Sequence, residues 1–408
     1  MYKPIEITDS HIDMDSKRSN NDKEMFLICK AGAALISKIL LLWSVIWPVD
    51  FVKAQPVNKN ATTQTVNLYR NLKKLSAKGF MFGHQDDLAY GVNWRYEPGN
   101  SDIKTVVNDY PAVYGWDLGG IEADQANNLD GIPFKKMKQF IKDGYARGGV
   151  ITISWHARSP IGAAKGAWDT THGTVTSIIP GGANHDLYKS WLDKIAAFIS
   201  SLKGDRGESI PVLFRPYHEL TGNWFWWCRN ASTDFEFKTL WRFTVYYLQH
   251  EKKLNNLLWV YNTSDNVRSA DEFMQRYPGD DMVDMLSFDG YQYDDPQKND
   301  WFVKNTRSLL LIIDSIATEK GKLSALAETG YEAIPYPEWW TNTLLHAIDS
   351  TRISYVLVWR NHGYAEWNKK MHYYAPYKGQ VSADDFIRFF NLPNTFFEKD
   401  VAAEKLYQ

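Results

Sequence analysis

Two glutamates sit in company that suggests chemistry. Glu219 ends the run Arg215-Pro216-Tyr217-His218-Glu219 and is followed by Trp224, Trp226 and Trp227, while Glu328 follows the apolar run 322–327 and leads into Thr329-Gly330. Cleavage of a glycosidic bond asks for such a pair. One carboxyl keeps a proton for the leaving oxygen, and the other is ionised and attacks or stabilises the anomeric carbon. A carboxyl separation of ~5 Å goes with retention of configuration, and a pair several ångströms wider goes with inversion. Like charge and a water-poor cleft raise the pKa of one member, which becomes the acid. A lone glutamate at a strand end is more often an ion-pair partner; two of them among tryptophan- and histidine-rich loops shift the balance toward catalysis. His218, next to Glu219, is placed to tune or orient it. Asp117, Glu122, Asp289 and Glu332 are weaker candidates for supporting or structural roles, and Asp280-Asp281 reads as a turn.

The elements that must hold these groups are legible as eight short apolar runs, at 79–83, 112–118, 149–155, 211–217, 257–261, 283–288, 322–327 and 353–359. Between them lie helical patterns: Leu187, Trp191, Ile195, Phe198, Ile199 and Leu202 recur at helical spacing over 188–202, and 235–248 behaves similarly. Eight buried strands alternating with helices predict an α/β fold of the (β/α)8 barrel type rather than an open sheet. No glycine-rich phosphate loop follows the first run. In such a barrel the reactive groups sit where strands run into βα loops. The runs end accordingly in Gly83-His84-Gln85-Asp86, Trp116-Asp117, Trp155-His156, His218-Glu219, Asn262, Asp289-Gly290-Tyr291, Glu328 and Trp359-Arg360-Asn361. Polar groups at buried strand ends are costly unless paired, so a ring of them at one end marks a site.

Composition narrows the ligand. With 46 basic and 48 acidic residues the formal charge is −2, which argues against nucleic acid or anionic lipid as partner and for an uncharged ligand. Aromatic residues make up 15 % of the chain, including 17 tryptophans whose flat apolar faces suit sugars. The two cysteines, Cys29 and Cys228, form no disulfide framework and no thiolate metal site. Residues 1–24 are polar, and the stretch from Met25 to about Val52 carries basic Lys30 and Lys38 and an apolar segment interrupted by Lys38, Pro48 and Asp50. That pattern predicts a secretory signal over 1–54, with Met25 as an alternative start, cleaved before Gln55. The mature chain 55–408 is then one exported domain, periplasmic, surface-bound or extracellular, with no membrane span and expected as a monomer.

The motifs themselves carry a resemblance. Arg215-Pro216-Tyr217-His218-Glu219 with Thr221-Gly222-Asn223-Trp224-Phe225-Trp226-Trp227 resembles the acid/base segment of family 26 glycoside hydrolases, the β-mannanases. Gly83-His84-Gln85, Trp116-Asp117, Ser154-Trp155-His156, Pro278-Gly279-Asp280, Asp289-Gly290-Tyr291-Gln292, Glu328-Thr329-Gly330 and Trp359-Arg360-Asn361 follow in the same order, so the resemblance covers about 65–390. It implies a retaining hydrolase of β-1,4-mannan, galactomannan or glucomannan, either endo-acting or mannobiose-releasing, with no cofactor and no metal. Glu219 would be acid/base, Glu328 nucleophile, and Tyr291 the hydroxyl that positions the nucleophile. His156, His218 and Trp224 would line the sugar at the cleavage point, with Trp155 and Trp359 beneath or beside it. Arg360 and Asn361 would reach the neighbouring glycone subsite, and His84 and Asp117 join the expected substrate-binding set. Leu220 and Cys228 depart from the family pattern. Three other readings stay open: the same mechanism on β-1,3-xylan or mixed-linkage β-glucan; a non-catalytic polysaccharide-binding barrel; and a metal-dependent hydrolase built on His84, His156, His218 and His362, disfavoured by the lack of a close His-x-His pair after the first strand.

Overall fold

A computed structural model describes residues 54–162 and 166–408. Residues 1–53, which carry nearly all of the expected signal segment and Cys29, lie outside the described residues; the expected cleavage point between Ala54 and Gln55 is at their edge. Eight parallel strands follow one another around a closed barrel: β1 (Phe80–Gln85), β2 (Val113–Asp117), β3 (Val150–Trp155), β4 (Val212–Pro216), β5 (Leu257–Ser264), β6 (Met285–Asp289), β7 (Leu323–Thr329) and β8 (Tyr355–Val358). Each pairs with the next, and β1 closes the ring on β8 through Met81 opposite Tyr355 and His84 opposite Val358. This is the predicted (β/α)8 barrel. A helix follows every strand, among them Phe134–Ala146, His185–Ser200, Asp234–Tyr246 and Trp301–Lys320. Among the described residues no helix is long and apolar enough to cross a membrane.

Local chemistry explains where the helices begin and which face they bury. Thr233 opens Asp234–Tyr246 with a reciprocal cap, its hydroxyl accepting from the Glu236 amide while the Glu236 carboxylate accepts from the Thr233 amide. Phe237, Leu240, Trp241, Thr244 and Val245 then turn one buried stripe toward the barrel. The final turn widens into a π-helical segment, Tyr247–Glu251, so the helical path runs slightly past the expected 235–248.

Strand alternation separates two cores. Met81, Val113, Val150, Leu213, Leu258, Met285, Ala325, Tyr355 and Leu357 pack into the barrel lumen, together with Leu68, Leu72 and Leu75 of helix Thr63–Leu75. Their neighbours one residue away, such as Phe82, Tyr114, Ile151, Phe214, Leu286 and Val356, join the larger outer core beneath the helices. The period of two therefore decides which strand-end side chains enter the mouth and which vanish under the helices.

Two local irregularities aim the glutamates. Along β7 the register counts one extra residue against both neighbours: Phe288 and Asp289 of β6 oppose Leu326 and Glu328, and Val356 and Val358 of β8 oppose Leu326 and Thr329. Ala325 and Ala327 face the lumen, so regular alternation would send Glu328 outward. The bulge re-aims it to the mouth. Past the end of β4, Tyr217 and Glu219 adopt left-handed backbone, φ 53° and 55°, a costly conformation for such residues that persists where the surroundings hold it.

Candidate active site

Glu219 is held by its main chain. Its amide donates to Asn262 Oδ1 at 2.8 Å, and its carbonyl accepts from Ser264 Oγ at 3.1 Å and from the Cys228 thiol at 3.3 Å. Burial pushes the Cys228 thiol up to about 12, so it serves here as a neutral donor. Leu220 is fully buried, which makes that departure from the family pattern a core residue rather than a sugar contact. Trp224 donates its indole N–H to Glu219 Oε2 at 2.6 Å. Gly222 makes room for this: a Cβ there would stand 2.7 Å from the Trp224 ring.

Glu328 is held by its side chain. Arg215 Nη2 donates to Oε1, and Tyr291 Oη donates to Oε2 at 2.8 Å. Arg215 Nη1 also donates to Asp289 Oδ2 at 2.6 Å, while Asn262 Nδ2 donates to Asp289 Oδ1 at 2.8 Å. Burial opposes the charge on Arg215, but the Asp289 and Glu328 carboxylates raise its pKa above the ordinary arginine value. Burial, reinforced by Glu328, keeps the Tyr291 phenol protonated. Two donors therefore converge on Glu328, an arrangement suited to an ionised carboxylate.

The nearest carboxyl oxygens of Glu219, Asp289 and Glu328 all lie within 4.8 Å of one another. Burial, followed by repulsion from Glu328, lifts Glu219 to about 7, and the Trp224 N–H only partly offsets this. Such a carboxyl keeps a proton to donate near neutral pH. The three oxygens are close enough to ligate an ion, but Arg215 already supplies a cation to two of the three carboxylates, Asp289 and Glu328. Of the histidines weighed as metal ligands, His156 and His218 come together, but no group of three or more candidate ligands at ligand spacing among the described residues includes a histidine.

His156 and His218 meet edge to face, Nε2 to Nε2 at 3.0 Å. Asp117 accepts from His156 Nδ1 at 2.8 Å. Burial works against charge on His156, but Asp117 overrides it and the pKa ends above the ordinary value. His218 falls well below the ordinary value through burial, with His156 and Arg215 adding to the effect.

Four expected sugar contacts are corrected. Trp155 is fully buried, stacks on Tyr188 and donates to Glu122 Oε2 at 3.1 Å; its neighbour Ser154 takes the lumen-facing position, so alternation turns Trp155 under the helices. His84 is 1 % exposed and bonded to Asp87 Oδ1 at 2.7 Å. Asp117 is completely enclosed, its acceptors taken by Ser154, Gly119 and His156. Asn361 is also enclosed: it accepts from the amides of Tyr374 and Ala375 and donates to Asp102, pinning the loop after β8. Glu122, weighed as a weaker candidate, is likewise structural, accepting from Trp155 and the Arg158 amide.

His218, also expected to line the sugar, is 1 % exposed and closed over by His156 and Phe225, so it backs the site, whereas the other expected residues stay at the mouth. His156 and Trp224 are partly exposed, as is Trp359, in step with inward-facing Tyr355 and Leu357. Arg360 is largely engaged by protein, its Nε 3.2 Å from Asp130 Oδ1 and its Nη1 3.0 Å from His362 Nδ1. Two residues escaped the sequence reading. Arg215 lies inside the quoted motif, and a charge within a buried apolar strand was its signal. Trp168, 54 % exposed and stacked 5.1 Å from His156, lies in a loop without periodicity that gave none.

The family model of glycosyl hydrolase family 26 matches residues 57–377. The chain belongs to glycosyl hydrolase family 26. Among solved structures this family member is 43 % identical to a family 26 β-mannanase from Bacteroides ovatus, covering 85 % of this chain and 98 % of that one with a TM-score of 0.80. It is 32 % identical to a family 26 protein from a Muricauda species, covering 86 % and 96 % with a TM-score of 0.77. A mannan endo-1,4-β-mannosidase from Bifidobacterium adolescentis is 31 % identical over 351 residues, which are 81 % of this chain and 34 % of that protein. The family 26 member thus spans about a third of the length of that curated relative.

Proposed function

We propose that this chain is an exported, retaining hydrolase of β-1,4-mannan. The observation that carries the reading is the pairing of Glu219, proton-bearing near neutrality, with a doubly hydrogen-bonded Glu328 whose carboxyl oxygens come within 4.8 Å of it. That spacing suits direct attack better than the wider gap an inverting enzyme needs for water. Glu328 attacks the anomeric carbon as the glycosidic C–O bond breaks, and Glu219 gives its proton to the departing oxygen. Glu219, now ionised, takes a proton from water, whose oxygen displaces Glu328 and restores both groups. Tyr291 holds Glu328 in line during attack. The choice of mannan is supported by the names of the relatives, and export by the sequence of residues 25–54.

Digestion of mannan, galactomannan, β-1,3-xylan and mixed-linkage β-glucan, with the anomer of the first product followed by NMR, tests the whole reading. Mannan-derived oligosaccharides released first as the β-anomer are expected. An α-anomer would refute retention, and activity confined to xylan or glucan would refute the substrate.

A further inference from the structure

The enclosed Asp117 cannot reach a sugar, yet it is wired to groups that flank Glu219. Its Oδ2 accepts from Ser154 Oγ at 2.6 Å and from His156 Nδ1 at 2.8 Å, and its Oδ1 accepts from the Gly119 amide at 2.6 Å. These bonds fix the carboxylate between the ends of β2 and β3. With Nδ1–H committed to Asp117, the His156 ring can turn only Nε2 toward His218 Nε2, 3.0 Å away. One proton must lie between those nitrogens. His218 is 1 % exposed and its Nδ1 has no hydrogen-bond partner, whereas His156 faces the Asp117 carboxylate at 2.8 Å, so of the two rings His156 is the one whose charge is compensated.

We propose that Asp117 is a positioning residue of the hydrolysis: through His156 and His218 it holds a charged imidazolium beside the acid/base, limiting how far Glu219 retains its proton. The inference rests on the proposed hydrolytic reading. Directions of charge agree with it, since Asp117 raises the His156 pKa and His156 lowers that of Glu219. His156 is faced by Asp117 from β2, Asp130 from the loop after β2, His218 from beyond β4 and Glu328 from β7. Glu219 is faced by Glu328 from β7, Asp289, Tyr291 and Tyr293 from β6 and its loop, Arg215 from β4, His156 from β3 and Cys228 from its own loop. Of these, the Asp117 link is the one that sets charge without touching either glutamate.

The test is Asp117→Asn, which keeps an oxygen for Nδ1–H and removes the charge. The basic limb of kcat/KM on mannan is expected to move up by about half a pH unit or more, with KM nearly unchanged; Asp117→Glu is expected to restore the wild-type limb. A loss of activity with an unmoved pH profile would make Asp117 merely structural and overturn the proposal. Should Asp117→Asn fold poorly, the wild type decides: 15N NMR of labelled histidines is expected to show His156 protonated at both nitrogens above pH 6.5 while His218 stays neutral. A neutral His156 there overturns the proposal. Because the NMR reading needs no substrate, it separates failure of this inference from failure of the mannanase reading, which absence of mannan hydrolysis by the wild type would show.

Discussion

The two sides of the mouth treat the same residue type in opposite ways. On the β6–β7 side, Glu328 is 4 % exposed on a bulged but otherwise regular strand, with Arg215 and Tyr291 each claiming one oxygen. Beyond β4, Glu219 rides on left-handed backbone, is fixed through its amide and carbonyl, and has one side-chain donor, Trp224. A carboxyl with donors on both oxygens is prepared for charge, whereas one anchored by its backbone with little compensation is prepared to keep a proton. The proposed nucleophile and the proposed acid thus differ in what is bonded to them, not in what they are.

Removing the carboxyls sharpens this contrast most. Glu328→Ala is expected to abolish turnover by roughly four orders of magnitude or more and to prevent any glycosyl-enzyme adduct detectable by mass spectrometry with a slow fluorinated substrate. Glu219→Ala is expected to slow mannan hydrolysis by about three to four orders, yet to spare an aryl mannoside with a good leaving group and to respond to azide. If both variants lose activity equally on both substrates, the division of labour is wrong.

Next in size is the support on the nucleophile side. Arg215→Met strands two buried carboxyls that now share one cation, and loss of one partner from a buried pair typically costs about 3–5 kcal/mol. Denaturant unfolding should show a loss of that order together with a fall in kcat; a change below about 1 kcal/mol would mean that solvent, not Arg215, compensates the site. Tyr291→Phe deletes a single donor to the attacking group and is expected to lower kcat by about a hundredfold with KM little changed.

How much of this was written in the sequence depends on which physical rule the residue obeys. Strand runs and their polar ends follow burial and chain length, so the barrel and the rim could be read directly. Glu219 was visible because its neighbours are chemically unusual. Trp155 was misplaced although the means to place it were present: with Ser154 in the lumen, a period of two sends the next side chain outward. Asp117 and Asn361 show a different failure, since a polar residue at a strand end can equally serve the scaffold, and only the hydrogen bonds of residues distant in sequence distinguish the roles. The aim of Glu328 was illegible in principle. It depends on one extra residue in β7 counted against two neighbouring strands, and no single run of sequence contains that count.

The smallest predicted effect probes the acid side, where a single bond can be removed without touching a carboxyl. If Glu219 is the acid, as proposed, activity requires its protonated form and the basic limb of kcat/KM should fall near its pKa of about 7. Trp224 donates to the ionisable oxygen and thereby favours the charged form. Trp224→Phe keeps an aromatic face and deletes that donor, so the pKa should rise and the limb should move to higher pH by about half a unit. Stability carries the same sign. Because the folded pKa of Glu219 lies above its unfolded value near 4.5, its contribution is fully present below that value and is lost as pH rises through about 7. In Trp224→Phe that loss should start at the same pH but continue to higher pH, so stability measured by melting should fall by more between pH 6 and 8 than in the wild type. A limb that moves downward instead would mean that the indole was favouring the neutral acid, and the contrast between the two sides of the mouth would then rest on burial alone.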